Sequence, residues 1–430
     1  MGAKKFILVI LYSFLMIIIS VPLFISIFGI KNIDEPLHGV TNKVELSDFT
    51  ITSFYNRTYQ LNLSKFLNQE IAFGSSLIRF YNQIEFSLFD NIINSNVVVG
   101  KNDFLYETWH IDTYNGGDFV GKGVINNKIE MIAAIDSVLQ LSNTKLIVVL
   151  AAGKPSIYPE NIPDYLKKDS IYLTNYNYYA EQLKKSSISY IDFNDWFKDI
   201  KPDFKRNLFP EMGAHWSIDA SILVLDSLID YLNYYSYGTL NKLIIDTIIH
   251  KNQPYSPDYD IGKISNLLFS PSIDYYYPKY SVENTYNTDK KLIVIGDSFF
   301  WTINQQKLDK VFNEIQYWFY FKDVYQRDQE QKSINEIDYI KEIKNADFVL
   351  LFSSPSPLAK FGWGFIDKAY FSLVNKNKIP NHIMKIMKSI RENPKLLSIT
   401  KKKAEKRKIS VDSMLYIDAR YIYRIKHNNQ

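Results

Sequence analysis

In "LIVIGDSFFW" (292–301), Ser298 follows an apolar run, then Gly296 and Asp297. The run reads as a buried strand ending at Gly296, so Ser298 stands where the chain turns from strand to helix. A hydroxyl there is exposed, and the N–H groups of the helix start are at hand to stabilise an oxyanion. Serine is also an ordinary N-cap, so the tripeptide alone leaves nucleophile and cap both open. A nucleophilic serine needs a base. Of the six histidines (38, 110, 215, 250, 382 and 427), His215 stands apart in "LFPEMGAHWSIDAS", between a Pro- and Gly-punctuated loop and a helix start, with Trp216 beside it. None of the six shows a metal-ligand spacing and the chain has no cysteine, so neither a metal site nor a cofactor is expected.

The elements that must position these residues alternate. Apolar runs at 145–152, 188–193, 291–295 and 346–352 are separated by amphipathic helical patterns, the strongest at 217–235. Continuous apolar strands between helices imply a parallel sheet covered on both faces, with ligands at the C-terminal strand ends. Four loops meet that rule: "GKPSIYP" after 152, "NDWF" after 193, "GDSFF" after 295 and "SSPSP" after 352. Between 236 and 290 lies an irregular Tyr-, Pro- and Asn-rich insertion.

Composition narrows the class. At 46% hydrophobic and 15% aromatic, with 32 Tyr and 28 Phe, the chain is too apolar for disorder and rich in groups that line clefts. Lys4 and Lys5 precede 25 uncharged residues, 6 to 30, more than the ~20 needed to cross a bilayer. No small-x-small cleavage site follows, so the segment reads as a single-pass signal anchor with residues 32–430 outside the cytosol. A cysteine-free ectodomain points weakly to bacteria, where the membrane would be the inner one and the ectodomain periplasmic or extracellular. The net charge is +4, yet residues 376–430 carry 15 Lys and Arg against 4 Asp and Glu. That basic tail, including "KKKAEKRK" (401–408), suits an anionic polymer, lipid head groups or plain solvation; nucleic acid is not an expected partner outside the cell. The expected division is 1–31 anchor, 32–95 stalk and amphipathic helices, 96–375 α/β domain, and 376–430 helical extension.

"GAHWSIDAS" followed by "VIGDSFF" resembles the SGNH-type acetyltransferase domain of the alginate O-acetylation proteins AlgX and AlgJ. "VVVGKNDFLYE" and "AAGKPSIYPENIP" are similar to further stretches of that family, and the similarity runs over roughly 60–425. The resemblance implies a flavodoxin-like α/β fold in permuted order and transfer of acetyl onto a polysaccharide hydroxyl. Ser298 would be the nucleophile and His215 the base, and a membrane-bound O-acyltransferase would be the partner that delivers acetyl. In the family an Asp sits two residues before the His; here that position is Gly213. Glu211 is a candidate substitute acid, with Asp192 and Asp195 as others, and a Ser-His dyad is a further option. Asp297 is expected to fix its turn through backbone hydrogen bonds beside Gly296. The Ser298 N–H is one expected oxyanion donor; Lys154, Tyr320 and Ser353 are candidates for a second. Tyr158, Trp216 and Trp363 are candidates to stack on sugar rings. Two alternatives accompany acetyl transfer: a carbohydrate esterase or deacetylase using the same pair, and a non-catalytic glycan-binding assembly subunit.

Overall fold

A computed structural model of the chain describes residues 3–28, 35–39, 44–70, 72–94, 96–168, 172–287, 289–374, 380–406 and 411–427. The expected boundaries at 31 and 375, and the end of the basic run at 407–408, lie outside these residues. The described chain falls into two compact units, residues 1–100 with 259–272, and residues 101–258 with 273–430.

The first unit is helical, apart from the three-residue strand β1 (Val97–Val99). Its helix Ala3–Ile27 contains a window, Lys5–Pro22, of mean hydropathy 2.3, long and apolar enough to span a bilayer. The helix Ile51–Tyr55 starts on a reciprocal cap in which Thr50 and Ser53 satisfy each other's backbone N–H. Residues 259–272 join this unit through side-chain amides. Asn82 Nδ2 donates to the Ser265 carbonyl at 3.0 Å, and Asn266 exchanges hydrogen bonds with the His38 backbone at 2.8 and 3.0 Å.

The second unit is the α/β domain. After β2 (Leu105–Glu107) come β3 (Lys145–Leu150), β4 (Tyr190–Asp192), β5 (Leu243–Lys251), β6 (Tyr275–Val282), β7 (Lys291–Gly296), β8 (Glu314–Phe319), β9 (Asp323–Gln326), β10 (Lys332–Ser333) and β11 (Phe348–Ser353). Seven of them form one sheet in the order β10-β9-β8-β7-β11-β3-β4. β8, β7, β11, β3 and β4 are parallel. Counted from β7, these five stand in the order 2-1-3-4-5, the flavodoxin-like arrangement with its chain start moved to the fourth strand. The topological switch point therefore lies between β7 and β11.

Val/Ile/Leu runs build this sheet because both faces are covered. Leu146, Val148, Leu150, Ile293, Ile295, Val349 and Leu351 share one apolar cluster with the helices Lys122–Leu139, Asn175–Lys185 and Phe365–Leu373. The alternate residues point to the opposite face. There Phe352 meets the rings of Trp216 and Phe300, and Phe348 meets Phe312.

Three features depart from the sequence expectation. The sheet is mixed, since β9 and β10 run antiparallel at its edge. The reversal after β8 is made by Tyr320 and Phe321, both left-handed (φ 50° and 48°), where no glycine signals a turn. The stretch 236–290 is more regular than its composition suggests. β5 and β6 pair antiparallel from Leu243↔Val282 to Lys251↔Tyr275 with one register shift, and residues 259–272 between them belong to the first unit. The C-terminal extension is helical as expected, over Asn381–Glu392, Pro394–Lys406 and Val411–His427. It is also integral to the domain core, with Tyr416 buried against Tyr370 and Phe371, and buried Arg420 reaching Asp367 at 3.4 Å.

Tyr416→Ala is therefore expected to cost the α/β domain about 3 kcal/mol. Urea unfolding should still show one transition for sheet and extension together; two separated transitions would contradict an integral extension.

Candidate active site

β7 delivers Gly296, Asp297 and Ser298 to the switch point. A Cβ on Gly296 would lie 3.3 Å from Phe352 Cβ, so the missing side chain lets β7 and β11 close up at their ends. Asp297 is buried and spans that gap. Its Oδ2 accepts from both the backbone N–H and the hydroxyl of Ser354 at 2.7 Å, and its Oδ1 accepts from Phe299 N at 3.1 Å. Burial pushes this carboxyl above the ordinary range, while the Ser354 and Phe299 donors and the nearby His215 pull it back. Tyr317 donates its hydroxyl to the Asp297 carbonyl from β8.

Ser298 occupies the N-cap position of the helix Phe299–Asn304, yet its side chain caps no N–H. Its Oγ instead shares a 2.9 Å hydrogen bond with His215 Nε2. The Tyr320 hydroxyl lies beside Ser298, and burial followed by the charge of Asp297 raises this phenol, so it stays protonated at neutral pH. Tyr320 is carried in by a hydrogen bond from its own N–H to the Gly296 carbonyl, 2.9 Å. Half-buried Trp363, also left-handed (φ 45°), meets the Tyr320 ring edge-on at 5.2 Å. Left-handed aromatics cost of order 1–3 kcal/mol each, and such strain gathers at functional sites.

His215 is fixed from both chain directions. Trp216, fully buried, donates its Nε1–H to Thr302 Oγ1 and packs edge-on to Phe299. Ser217 caps the helix Ile218–Tyr235 by accepting from Ala220 N at 3.1 Å, and its hydroxyl donates to the Asn207 carbonyl at 3.0 Å. The imidazole itself lies 4.8 Å from the Phe299 ring.

Several expected roles change in the structure. Lys154 does not face the serine. It is 1% exposed, and its Nζ donates to the carbonyls of Leu105, Pro210, Glu211 and Gly213, each at 2.8 Å. It also sits over the rings of Phe104 and Tyr106. Four backbone acceptors from two segments converge on one cation, which pins the loop leading to His215. Tyr158 is buried with its hydroxyl taking the Leu208 N–H at 3.0 Å, and Trp216 is core, so neither offers a face to a sugar. Buried Ser353 donates to the Ser354 carbonyl at 2.9 Å; it is Ser354, one residue on, that reaches Asp297. Glu211 turns its carboxylate to the Asn207 amide at 2.7 Å. Asp192 caps the helix Phe193–Ile200 and accepts the Tyr176 hydroxyl, and Asp195 is exposed. Tyr320 remains beside Ser298, and Trp363 packs on Tyr320. Ser354, Phe299 and Thr302 are the supporting residues that sequence reasoning passed over, although "SSPSP" and "GDSFFWT" contain them. No cluster of His, Asp and Glu fit to hold a metal occurs among the described residues.

Fold order and motif loops together define an SGNH hydrolase-like α/β domain, circularly permuted. Residues 97–230 match the family described as "SGNH hydrolase-like domain, acetyltransferase AlgX", so the resemblance read from the motifs is borne out over that stretch; Ser298 lies beyond it. A search of the curated proteins finds no match. Among solved structures the chain is similar to the O-acetyltransferase domain of Pseudomonas putida AlgJ, with 16% identity, 64% of this chain and 99% of that one covered, and a TM-score of 0.43. It is also similar to Bacillus cereus PatB1 with a sulfonyl adduct (12%, 63% and 99%, 0.41) and to Pseudomonas aeruginosa AlgX (11%, 63% and 67%, 0.37).

Two substitutions test the loop. Lys154→Met strands four carbonyls and should cost about 3 kcal/mol in thermal or urea unfolding. Gly213→Asp should destabilise the domain by about 1–3 kcal/mol, because its Cβ would stand 2.7 Å from Pro210 Cγ and 3.1 Å from the Asp258 carbonyl oxygen. An unchanged Tm in either variant would contradict this account.

Proposed function

We propose that this protein is an extracytoplasmic O-acetyltransferase of a cell-surface or secreted polysaccharide, held at the bacterial inner membrane by its N-terminal helix. The observation that carries the reading is the 2.9 Å pairing of an uncapped Ser298 hydroxyl with His215 at the switch point of the sheet. An idle N-cap serine would spend its hydroxyl on the helix.

In the first half-reaction His215 Nε2 takes the Ser298 proton as Oγ bonds the acetyl carbonyl carbon. The bond from that carbon to the donor's leaving group then breaks, and the leaving group takes the proton from Nε2. In the second, a sugar hydroxyl gives its proton to Nε2 and attacks the acetyl-serine. The new ester leaves, and Oγ recovers the proton. The developing oxyanion has the Ser298 N–H and the protonated Tyr320 hydroxyl as donors, and Trp363 offers an aromatic surface beside them. Acetyl originates in the cytosol, so a membrane-bound O-acyltransferase is the proposed donor partner. The basic C-terminal helices, where Lys401 and Lys402 are exposed, are compatible with an anionic acceptor.

The test is intact mass of the detergent-solubilised chain after exposure to an activated acetyl ester. One acetyl adduct is expected on the wild type and none on Ser298→Ala, with the adduct persisting until a glycan acceptor is added. An adduct that water removes as fast as it forms would assign an esterase instead. No adduct at all would leave the glycan-binding subunit as the reading, the one that Gly213 favours.

A further inference from the structure

The acetyl-enzyme reading leaves His215 without the acid that the family places two residues before it. The structure shows what occupies that place. A Cβ built on Gly213 would lie 3.1 Å from the Asp258 carbonyl oxygen and 3.2 Å from that of Pro257. The space into which a side chain at 213 would project is thus filled by another part of the chain, the segment that ends the stretch after β5. That segment brings a carboxylate of its own.

Asp258 is 1% exposed. Its turn is closed by its N–H donating to the Tyr255 carbonyl at 2.8 Å. Its Oδ1 accepts from Ile218 N at 2.9 Å, the first helical residue after the "HWS" that carries the base. From the other side the Tyr277 hydroxyl on β6 lies near the carboxylate, whose charge helps burial raise that phenol. Tyr277 in turn accepts the Tyr255 N–H at 2.7 Å. A buried carboxylate needs charge or hydrogen-bond partners, and its two oxygens can accept from several donors at once.

The other acids around the His215 loop are committed elsewhere. Asp219 pairs with Arg206, Glu211 with Asn207, and Asp192 with Tyr176 and its own helix start. Asp297 gives its oxygens to Ser354 and Phe299. We infer that Asp258, supplied from the far end of the β5–β6 stretch, is the carboxylate that orients His215 for proton transfer with Ser298, replacing the acid absent at 213. It is a positioning residue. It acts by holding the ring's Nδ1–H and stabilising the imidazolium, leaving Nε2 for the serine. This inference rests on the acetyl-enzyme reading for its kinetic consequence.

Asp258→Asn is the test, because the amide oxygen can still accept from Ile218 N while the charge is lost. The rate of Ser298 acetylation by the activated ester should fall by about 10³- to 10⁴-fold. The pH at which the His215 ring titrates, read by NMR of histidine-labelled protein, should fall by about one unit or more. Asp258→Glu should recover part of the rate. Glu211→Gln and Asp192→Asn are the competing arms, and a comparable loss in either with Asp258→Asn acylating at the wild-type rate overturns the inference. An unchanged His215 titration in Asp258→Asn also overturns it. Should wild type take no acetyl, the acetyl-enzyme reading fails while the titration still decides the pairing. Should Asp258→Asn not fold, wild-type NMR decides: a His215 Nδ1 proton shifted strongly downfield by a carboxylate supports Asp258, and its absence overturns it.

Discussion

One buried carboxylate ties the ends of two parallel strands, and the site is arranged around that tie. Asp297 leaves β7 and takes two hydrogen bonds from Ser354 at the end of β11. A parallel sheet splays its connections to opposite faces at the switch point, which opens a crevice there. Left alone, two strand ends beside a crevice would be free to move apart. The Asp297 bridge removes that freedom and sets the direction in which the next residue leaves the strand. Ser298 therefore starts a helix without capping it, and its hydroxyl is available to His215.

The opposing loop is held by different physics. His215 sits in a segment with little regular structure, so its position depends on anchors on either side. Trp216 supplies apolar burial, Ser217 a helix cap, and Lys154 a buried cation under four carbonyls. Each works at a separate point of the loop, and together they leave the imidazole little room to swing. A pair of left-handed aromatics, Tyr320 and Trp363, pack edge-on, with Tyr320 beside Ser298. Their strained backbones are sustained by the strand end and turns that carry them, which is how a rigid scaffold keeps an unfavourable loop geometry in place.

How much of this was legible in the sequence follows from which signals are local. Strand runs, the helix at 217–235 and the serine after Gly296 carry their pattern within a few residues, and the structure has them where the pattern puts them. The Ser298–His215 encounter was suggested only by motif order, since 83 positions separate the pair. The edge hairpin β8–β9 escaped because its reversal uses tyrosine and phenylalanine in a conformation usually signalled by glycine. Lys154, Tyr158 and Trp216 looked like ligand groups by type and loop position. Burial decides otherwise, and burial depends on what the rest of the chain places above them. Ser353 and Ser354 differ by one step along a strand end, which turns one away from the crevice and the other onto Asp297.

The same distinction governs the missing acid. Proton transfer fixes where a carboxylate must stand relative to the imidazole, and nothing in that requirement names its position along the chain. This fold already separates the two orders, because its parallel strands follow the flavodoxin arrangement from a displaced starting point. A long excursion between the base and the nucleophile, from Leu243 to Val282, passes back over the His215 loop at Pro257 and Asp258. With that segment filling the space beside position 213, a side chain there carries a steric cost, and glycine avoids it. Gly213 is thus the steric complement of the Pro257–Asp258 segment, which carries a carboxylate of its own. A scan confined to the neighbourhood of His215 would record only the loss.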